Sequence, residues 1–166
     1  MNKPNILFIF SDQQRWDTLG CYGSPIFEGL TPNLDRLAAE GVRFENAFTC
    51  QPVCGPARAA LQTGKYATET TCHSNGISLP RAEKTMAHWL SDAGYEVGYL
   101  GKWHLASDRK GLPDGVEPFN CRTAPVPSER RGGYKDFWLA SDLLEFTSDG
   151  FSGHMFDDNG EKRHFP

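Results

Sequence analysis

Cys54-Gly55-Pro56-Ala57-Arg58-Ala59-Ala60-Leu61-Gln62-Thr63-Gly64 reads as one short helix with a reactive residue at its start. Pro56 suits the first helical position, where its missing N–H would have no partner in any case. Ala57, Arg58, Ala59, Ala60 and Leu61 are good helix formers. Gly64 supplies the stop, because it tolerates the left-handed conformation that follows a last turn. Cys54 is therefore expected just before the positive end of a helix, where free backbone N–H groups attract anions. That place favours a thiolate or another reactive group over an inert thiol. Taken alone, the same residues also describe a free cysteine beside an ordinary cap, and Arg58 an ordinary surface arginine.

Outward from this helix the chain alternates. Upstream, Ile6 to Phe10 is a continuous apolar run ending in Ser11-Asp12, as in a strand covered on both faces. Thr31 to Gly41 reads as a helix, with Thr31 the cap, Pro32 in the first turn, Gly41 the stop, and Leu34, Leu37 and Ala38 as its apolar stripe. Val42 to Phe48 is a second strand candidate. Downstream, Thr85 to Ala93 predicts a helix closed by Gly94, and Glu96 to Leu100 a strand leading into Gly101-Lys102-Trp103-His104. The alternation predicts an α/β fold with a mainly parallel sheet and helices on both faces. Residues 105–133 are rich in Pro, Gly and charge and read as a long functional loop. Phe137 to Phe146 reads as helical, and Asn159-Gly160 as the turn of a hairpin.

The chain has 166 residues, 39% of them hydrophobic and 23% charged, enough for one domain with a core. A formal net charge of −4 argues against nucleic acid as a partner. The N-terminal apolar run is too short for a membrane span and shows no cleavage site, so no membrane partner is expected and the cytoplasm is the default location. Five cysteines (Cys21, Cys50, Cys54, Cys72, Cys121) are an odd number without repeated spacing, unlike a disulfide framework. Cys50, Cys54 and Cys72-His73 lack the Cys-x-x-Cys pairing of a zinc site.

Three segments carry chemistry, and each follows a predicted strand or opens a helix, where α/β sheets bind ligands. Asp12-Gln13 offers a carboxylate beside an amide oxygen, hard donors suited to calcium or magnesium; alone, Asp12 reads as well as a turn cap. Arg58, one turn from Cys54, could stabilise an anionic oxygen at position 54. Lys102 and His104, if the chain stays extended, share one face. A lysine there could bind an anion, and a histidine could move protons near neutral pH. Each alone reads equally as a solvated lysine and a hydrogen-bonded core histidine.

Cys54-x-Pro56-Ala57-Arg58, followed by Leu61 and Gly64, resembles the signature of the sulfatase family, with Ala57 where serine is commonest. Asp12, the cysteine motif and Gly101-Lys102-x-His104 also follow in the family's order. Residues 137–142 and 144–148 are reminiscent of bacterial members. The resemblance implies an alkaline-phosphatase-like fold, with residues 1–166 as the N-terminal part of a sulfatase catalytic domain. It implies a sulfuric ester hydrolase whose Cys54 is oxidised by a formylglycine-generating enzyme, a transient partner. The hydrated aldehyde attacks sulfur, and sulfate is later expelled from the enzyme. On this reading Cys54, Arg58, Lys102 and His104 are catalytic. Asp12, Gln13 and Cys54 bind a divalent cation, calcium first, with magnesium or manganese as alternatives. Lys102, His104 and Asn75 bind a small-molecule or saccharide sulfate ester. Gln13 stands where a second Asp is commonest, which keeps a phosphonate monoester or phosphodiester hydrolase open. Sulfatases are longer, and their second ligand pair, an Asp followed by Asn or His, lies far downstream of the cysteine. Asp157-Asp158-Asn159 has the residue types, but Asn159-Gly160 reads as a turn. An inactive truncated fragment is the third reading.

Overall fold

A computed structural model describes residues 3–108 and 119–166. Residues 109–118, inside the expected long loop, lie outside the described residues. The chain divides into two compact units, Met1–Phe48 and Thr49–Pro166.

The first unit is built on one helix, α1 (Pro32–Glu40), which begins after Thr31 and ends at Gly41 as its sequence predicts. Thr31 does not cap α1 with its hydroxyl. That hydroxyl accepts the Gly20 N–H (2.9 Å) and donates to Asp35 Oδ1 (3.0 Å). Asp35 Oδ1 also accepts the Cys21 N–H at 2.7 Å, so one carboxylate ties the short turn Gly20–Tyr22 to the helix. The expected strands Ile6–Phe10 and Val42–Phe48 are not strands here. Leu7 is 85% and Phe48 92% exposed, and the expected apolar stripe residues Leu34 and Leu37 are exposed as well. An apolar run supplies a tendency to be buried, but a strand exists only through a ladder with a partner. The unit contains no strand, among the described residues, to provide one.

The second unit holds the core. Helix α2 (Cys54–Thr63) starts two residues before Pro56, with Val53 as its N-cap. The Val53 carbonyl takes the Ala57 N–H at 2.9 Å, which draws Cys54 into the first turn. Gly64, at φ 70°, closes the helix by donating its N–H to the Ala60 carbonyl, as read. Next come α3 (Ala67–Thr70) and α4 (Met86–Asp92). Thr85 opens α4 through a reciprocal cap, its own N–H donating to His88 Nδ1 at 3.1 Å.

Strand β1 (Gly98–Lys102) lies two residues later than expected, and β2 (Phe137–Ser141) pairs with it in parallel, Gly98 opposite Phe137 and Lys102 opposite Ser141. β2 corrects the expected helix over Phe137–Phe146: only Leu144–Phe146 is helical, as a single 3₁₀ turn. Trp138 and Ala140 alternate inward at 0% exposure, a period of two that tertiary contact enforces over local propensity. The predicted hairpin forms as β3 (Gly153–Asp157) and β4 (Lys162–Phe165) around Asn159-Gly160 and extends the sheet antiparallel. The order is β1-β2-β3-β4, a mixed sheet whose parallel pairing is the β1–β2 crossover.

Tyr99, Trp103, Tyr134 and Trp138 form the centre of the core, with the Tyr99 ring 5.0 Å from Trp103 and 5.3 Å from Trp138. The described ends of the 105–133 segment are not a loose loop. Leu105, Ala106, Cys121 and Val126 are buried in this core. Arg130 Nη1 fastens them by donating to the Ala106 carbonyl (2.9 Å), Ser78 Oγ (3.2 Å) and Asp108 Oδ2 (3.2 Å). Side-chain bonds of this kind leave no periodicity in sequence. No described helix is long and apolar enough to cross a membrane.

Candidate active site

Cys54 is half-buried and is the first residue of α2, whose first turn carries no acidic side chain. The next residue shows why the local sequence is fixed. The Gly55 N–H donates to Asn75 Oδ1 at 2.8 Å. A Cβ on Gly55 would stand 3.1 Å from that oxygen and 3.8 Å from the His104 carbonyl. Glycine permits the approach, and positions 55, 75 and 104 share one place. Asn75 therefore meets the start of α2.

Arg58 is not a surface arginine; it is 6% exposed. Its Nη1 donates to the Lys102 carbonyl at 2.6 Å and lies 3.4 Å from Tyr99 Oη. Tyr99 Oη donates to the same carbonyl at 2.5 Å. The cysteine helix is thus tied to the end of β1. Lys102 Nζ in turn donates to Glu145 Oε1 at 3.0 Å, with the lysine side chain only 12% exposed. For Glu145, burial raises the carboxyl pKa, but its own backbone N–H and Lys102 outweigh it and hold the group below its ordinary value.

The extended arrangement expected for Lys102 and His104 stops at His104, which adopts a left-handed φ of 57°. Strand alternation therefore does not set its direction. The His104 Nδ1 is enclosed and has no hydrogen-bond partner among the described residues. Burial pushes its pKa below the ordinary value. Lys102 and Arg58 act in the same sense, while Asp142 and Glu145 oppose them. The imidazole is thereby favoured in its neutral form, able to accept a proton.

Asp12 and Gln13 belong to the first unit and Cys54 to the second. Both are exposed, and Gln13 turns the chain at φ 54°. Their oxygens fit a hard divalent cation in kind, but they are two donors where calcium takes about six to eight. Among the described residues no group of three or more His, Cys, Asp or Glu side chains is gathered to hold a metal. The cysteines, Cys50 and Cys72 included, are free thiols. Sequence reasoning missed Tyr99, Glu145 and Asp142. A polar pair after an apolar run, Ser141-Asp142, was the available signal, but the helical reading of 137–146 placed it mid-helix.

Residues 4–149 match the sulfatase family model. The chain is 47% identical over 150 residues to the uncharacterised sulfatase YidJ of Escherichia coli (strain K12), covering 89% of this chain and 27% of that protein. It is 37% identical over 138 residues to an N-acetylglucosamine-6-O-sulfatase of Bacteroides thetaiotaomicron, covering 82% of this chain and 23% of that protein. Among solved structures, yidJ from Bacteroides fragilis superposes with a TM-score of 0.77 at 32% identity, over 98% of this chain and 36% of that one. A protein solved in complex with its substrate D-glucosamine-2-N,6-O-disulfate superposes at 0.74 with 28% identity, over 99% of this chain and 28% of its own. The chain thus spans about a quarter to a third of the length of the curated relatives it matches. The fold is the alkaline-phosphatase-like fold of those structures. On these grounds the chain belongs to the sulfatase family.

Proposed function

We propose that the protein hydrolyses the sulfate ester of a sulfated saccharide at the start of α2. The observation that carries this reading is the knot at Gly55 and Arg58. Asn75 and the His104 carbonyl converge on Gly55, and Arg58 holds the Lys102 carbonyl. Cys54, a cationic side chain and a neutral imidazole are therefore supplied by neighbouring elements of one unit. The saccharide class is supported by relatives named for 6-sulfated amino sugars and by the disulfated glucosamine bound to a similar structure.

In this scheme the Lys102 ammonium, now paired with Glu145, offsets the negative charge of the sulfate. Arg58 sets where the end of β1 stands. His104, half-buried and favoured neutral, takes a proton during turnover. The α2 N-terminus favours negative charge at position 54. Formylglycine made from Cys54 by a formylglycine-generating enzyme would supply the hydrated aldehyde that acts as nucleophile. A divalent cation, calcium first, would take oxygen donors from Asp12 and Gln13 and would supply Lewis-acid chemistry toward sulfate.

The test is turnover by the full-length protein of an aryl sulfate, 6-sulfated N-acetylglucosamine and an aryl phosphonate ester. Cys54→Ala is expected to abolish sulfate release, while Cys50→Ala, at an exposed thiol, leaves it intact. Equal losses in the two variants, or faster turnover of the phosphonate, would overturn the proposal. Mass analysis of the peptide around residue 54 reports separately on the aldehyde.

A further inference from the structure

Five consecutive backbone N–H groups at the end of β1 go to two consecutive residues at the end of β2. The Trp103 N–H donates to the Ser141 carbonyl (2.9 Å) and the His104 N–H to the Asp142 carbonyl (2.7 Å). Asp142 Oδ1 then accepts the Leu105 and Ala106 N–H groups, each at 3.0 Å, and Oδ2 accepts the Ser107 N–H at 3.0 Å. Asp142 is wholly buried. A continued parallel ladder would have kept the backbone extended past Lys102. The side chain instead gathers the next three amides around one carboxylate, and the residue at the bend, His104, is driven into a left-handed conformation that a non-glycine residue rarely adopts.

We infer that Asp142 is the positioning residue of this site, fixing the backbone of residues 104–107 and with it the place and surroundings of the His104 imidazole. The inference rests on the proposed role of His104 in sulfate ester hydrolysis. Asp142 acts through His104 and has no contact of its own with substrate. Its second effect is electrostatic. The charged groups facing His104 are Arg58 from α2, Lys102 from β1, and Asp142 and Glu145 from the segment after β2. Both cations disfavour the imidazolium, so the two carboxylates are what keep the half-buried ring able to take a proton. Asp142 couples shape and charge in one side chain. Glu145, more than half exposed, supplies charge without the amide bonds.

Asp142→Asn separates the two effects. Its amide oxygen retains the Leu105 and Ala106 bonds, but the charge is gone and an N–H₂ faces the Ser107 N–H. In the full-length protein with ring-carbon-labelled histidine, the His104 resonance, assigned from His104→Gln, is expected to titrate at lower pH in Asp142→Asn than in wild type. The Ser107 amide, which loses its acceptor, should exchange faster. With an aryl sulfate substrate, kcat should fall on the order of ten- to a hundredfold with its acid limb displaced to lower pH, and KM nearly unchanged. Faster amide exchange with an unmoved His104 midpoint and an unmoved acid limb would mean that Asp142 is only a brace, and would overturn the inference. Should Asp142→Asn fail to fold, wild type decides. Protonation of His104 should change the exchange of the Leu105–Ser107 amides with the same midpoint as the ring, and amides indifferent to that midpoint would overturn it. Histidine titration needs no turnover. A wild-type protein that cleaves no sulfate ester but shows the shifted midpoint therefore sinks the hydrolase reading and leaves the positioning role standing.

Discussion

Replacing Arg58 tests whether the cysteine helix is held to β1 by the contact described above. Arg58 is 6% exposed and its Nη1 donates to the Lys102 carbonyl at 2.6 Å. A hydrogen bond from a charged donor contributes about 1.5–3 kcal/mol. The carbonyl is not orphaned when the arginine is removed, because Tyr99 Oη still donates to it at 2.5 Å. The cost therefore stays at the lower part of that range, about 1.5–2 kcal/mol, for Arg58→Met, which keeps most of the aliphatic stem. Arg58→Ala also deletes buried methylenes at about 0.8 kcal/mol each, bringing its total to about 3–4 kcal/mol. Arg58→Lys should not restore the wild type, since a compact ammonium cannot reproduce the planar fork. Urea unfolding at constant slope measures all three in the full-length protein. A cost for Arg58→Met below about 0.5 kcal/mol, the level of a surface substitution, would refute the claim that this bond ties α2 to β1.

Four further outcomes follow from the second unit. Because the folded His104 is held below its ordinary pKa, the unfolded chain binds more protons between that value and about 6.5, so this group makes stability rise with pH across the window. Acidifying from about pH 7 to 5 should therefore destabilise wild type more than His104→Gln, and equal slopes in chemical denaturation would contradict it. Thiol reagents should label exposed Cys50 in the native protein and reach Cys72 and Cys121 only on unfolding. Burial pushes the Cys72 thiol up to about 11 and the Cys121 thiol up to about 12, so fast native labelling at either would count against their enclosure. Gly132 lies at φ 59°, and a Cβ there would stand 2.7 Å from Trp103 Cη2, so Gly132→Ala should cost about 2–4 kcal/mol by denaturant titration. Trp138→Ala empties the centre of the aromatic cluster and should cost about 3–5 kcal/mol in the same assay; a loss under about 1 kcal/mol would show that the ring is not the keystone of the core.

How far these features could be read from sequence depended on whether their cause was local. α2 was legible because Gly64 and the alanine run act within one turn. Only its first residue was misplaced, since the Val53 carbonyl rather than Pro56 begins the helix. The β3–β4 hairpin was legible because Asn159-Gly160 sets its own turn. β2 was not. Its inward pair, Trp138 and Ala140, is separated by Leu139, and five residues carry too few positions to tell period two from a helical stripe. What decides the matter is the partner, β1, more than thirty positions away in sequence, which meets Phe137 with the small residue Gly98. The first unit shows the same dependence from the other side. Ile6–Phe10 has a strand's composition, and without a ladder in its unit it is not one.

The candidate site divides along the same line. The residues proposed to carry chemistry, Cys54, Arg58, Lys102 and His104, announce themselves through a motif. The residues that aim them do not, because aiming is done by contacts between segments. Arg58 reads as a catalytic or surface cation, yet its shortest described bond is to a backbone carbonyl. Lys102 and His104 read as neighbours on one face of a strand, yet the strand ends between them. The agent of that ending is Asp142, which is hidden twice: it follows a strand misread as a helix, and three of its partners are backbone amides of a segment with no pattern of its own. A carboxylate whose described hydrogen bonds run mainly to backbone amides leaves little complementary residue type to search for. Its signature is instead conformational, a histidine at positive φ, and that signature exists only once the two strands have been brought side by side.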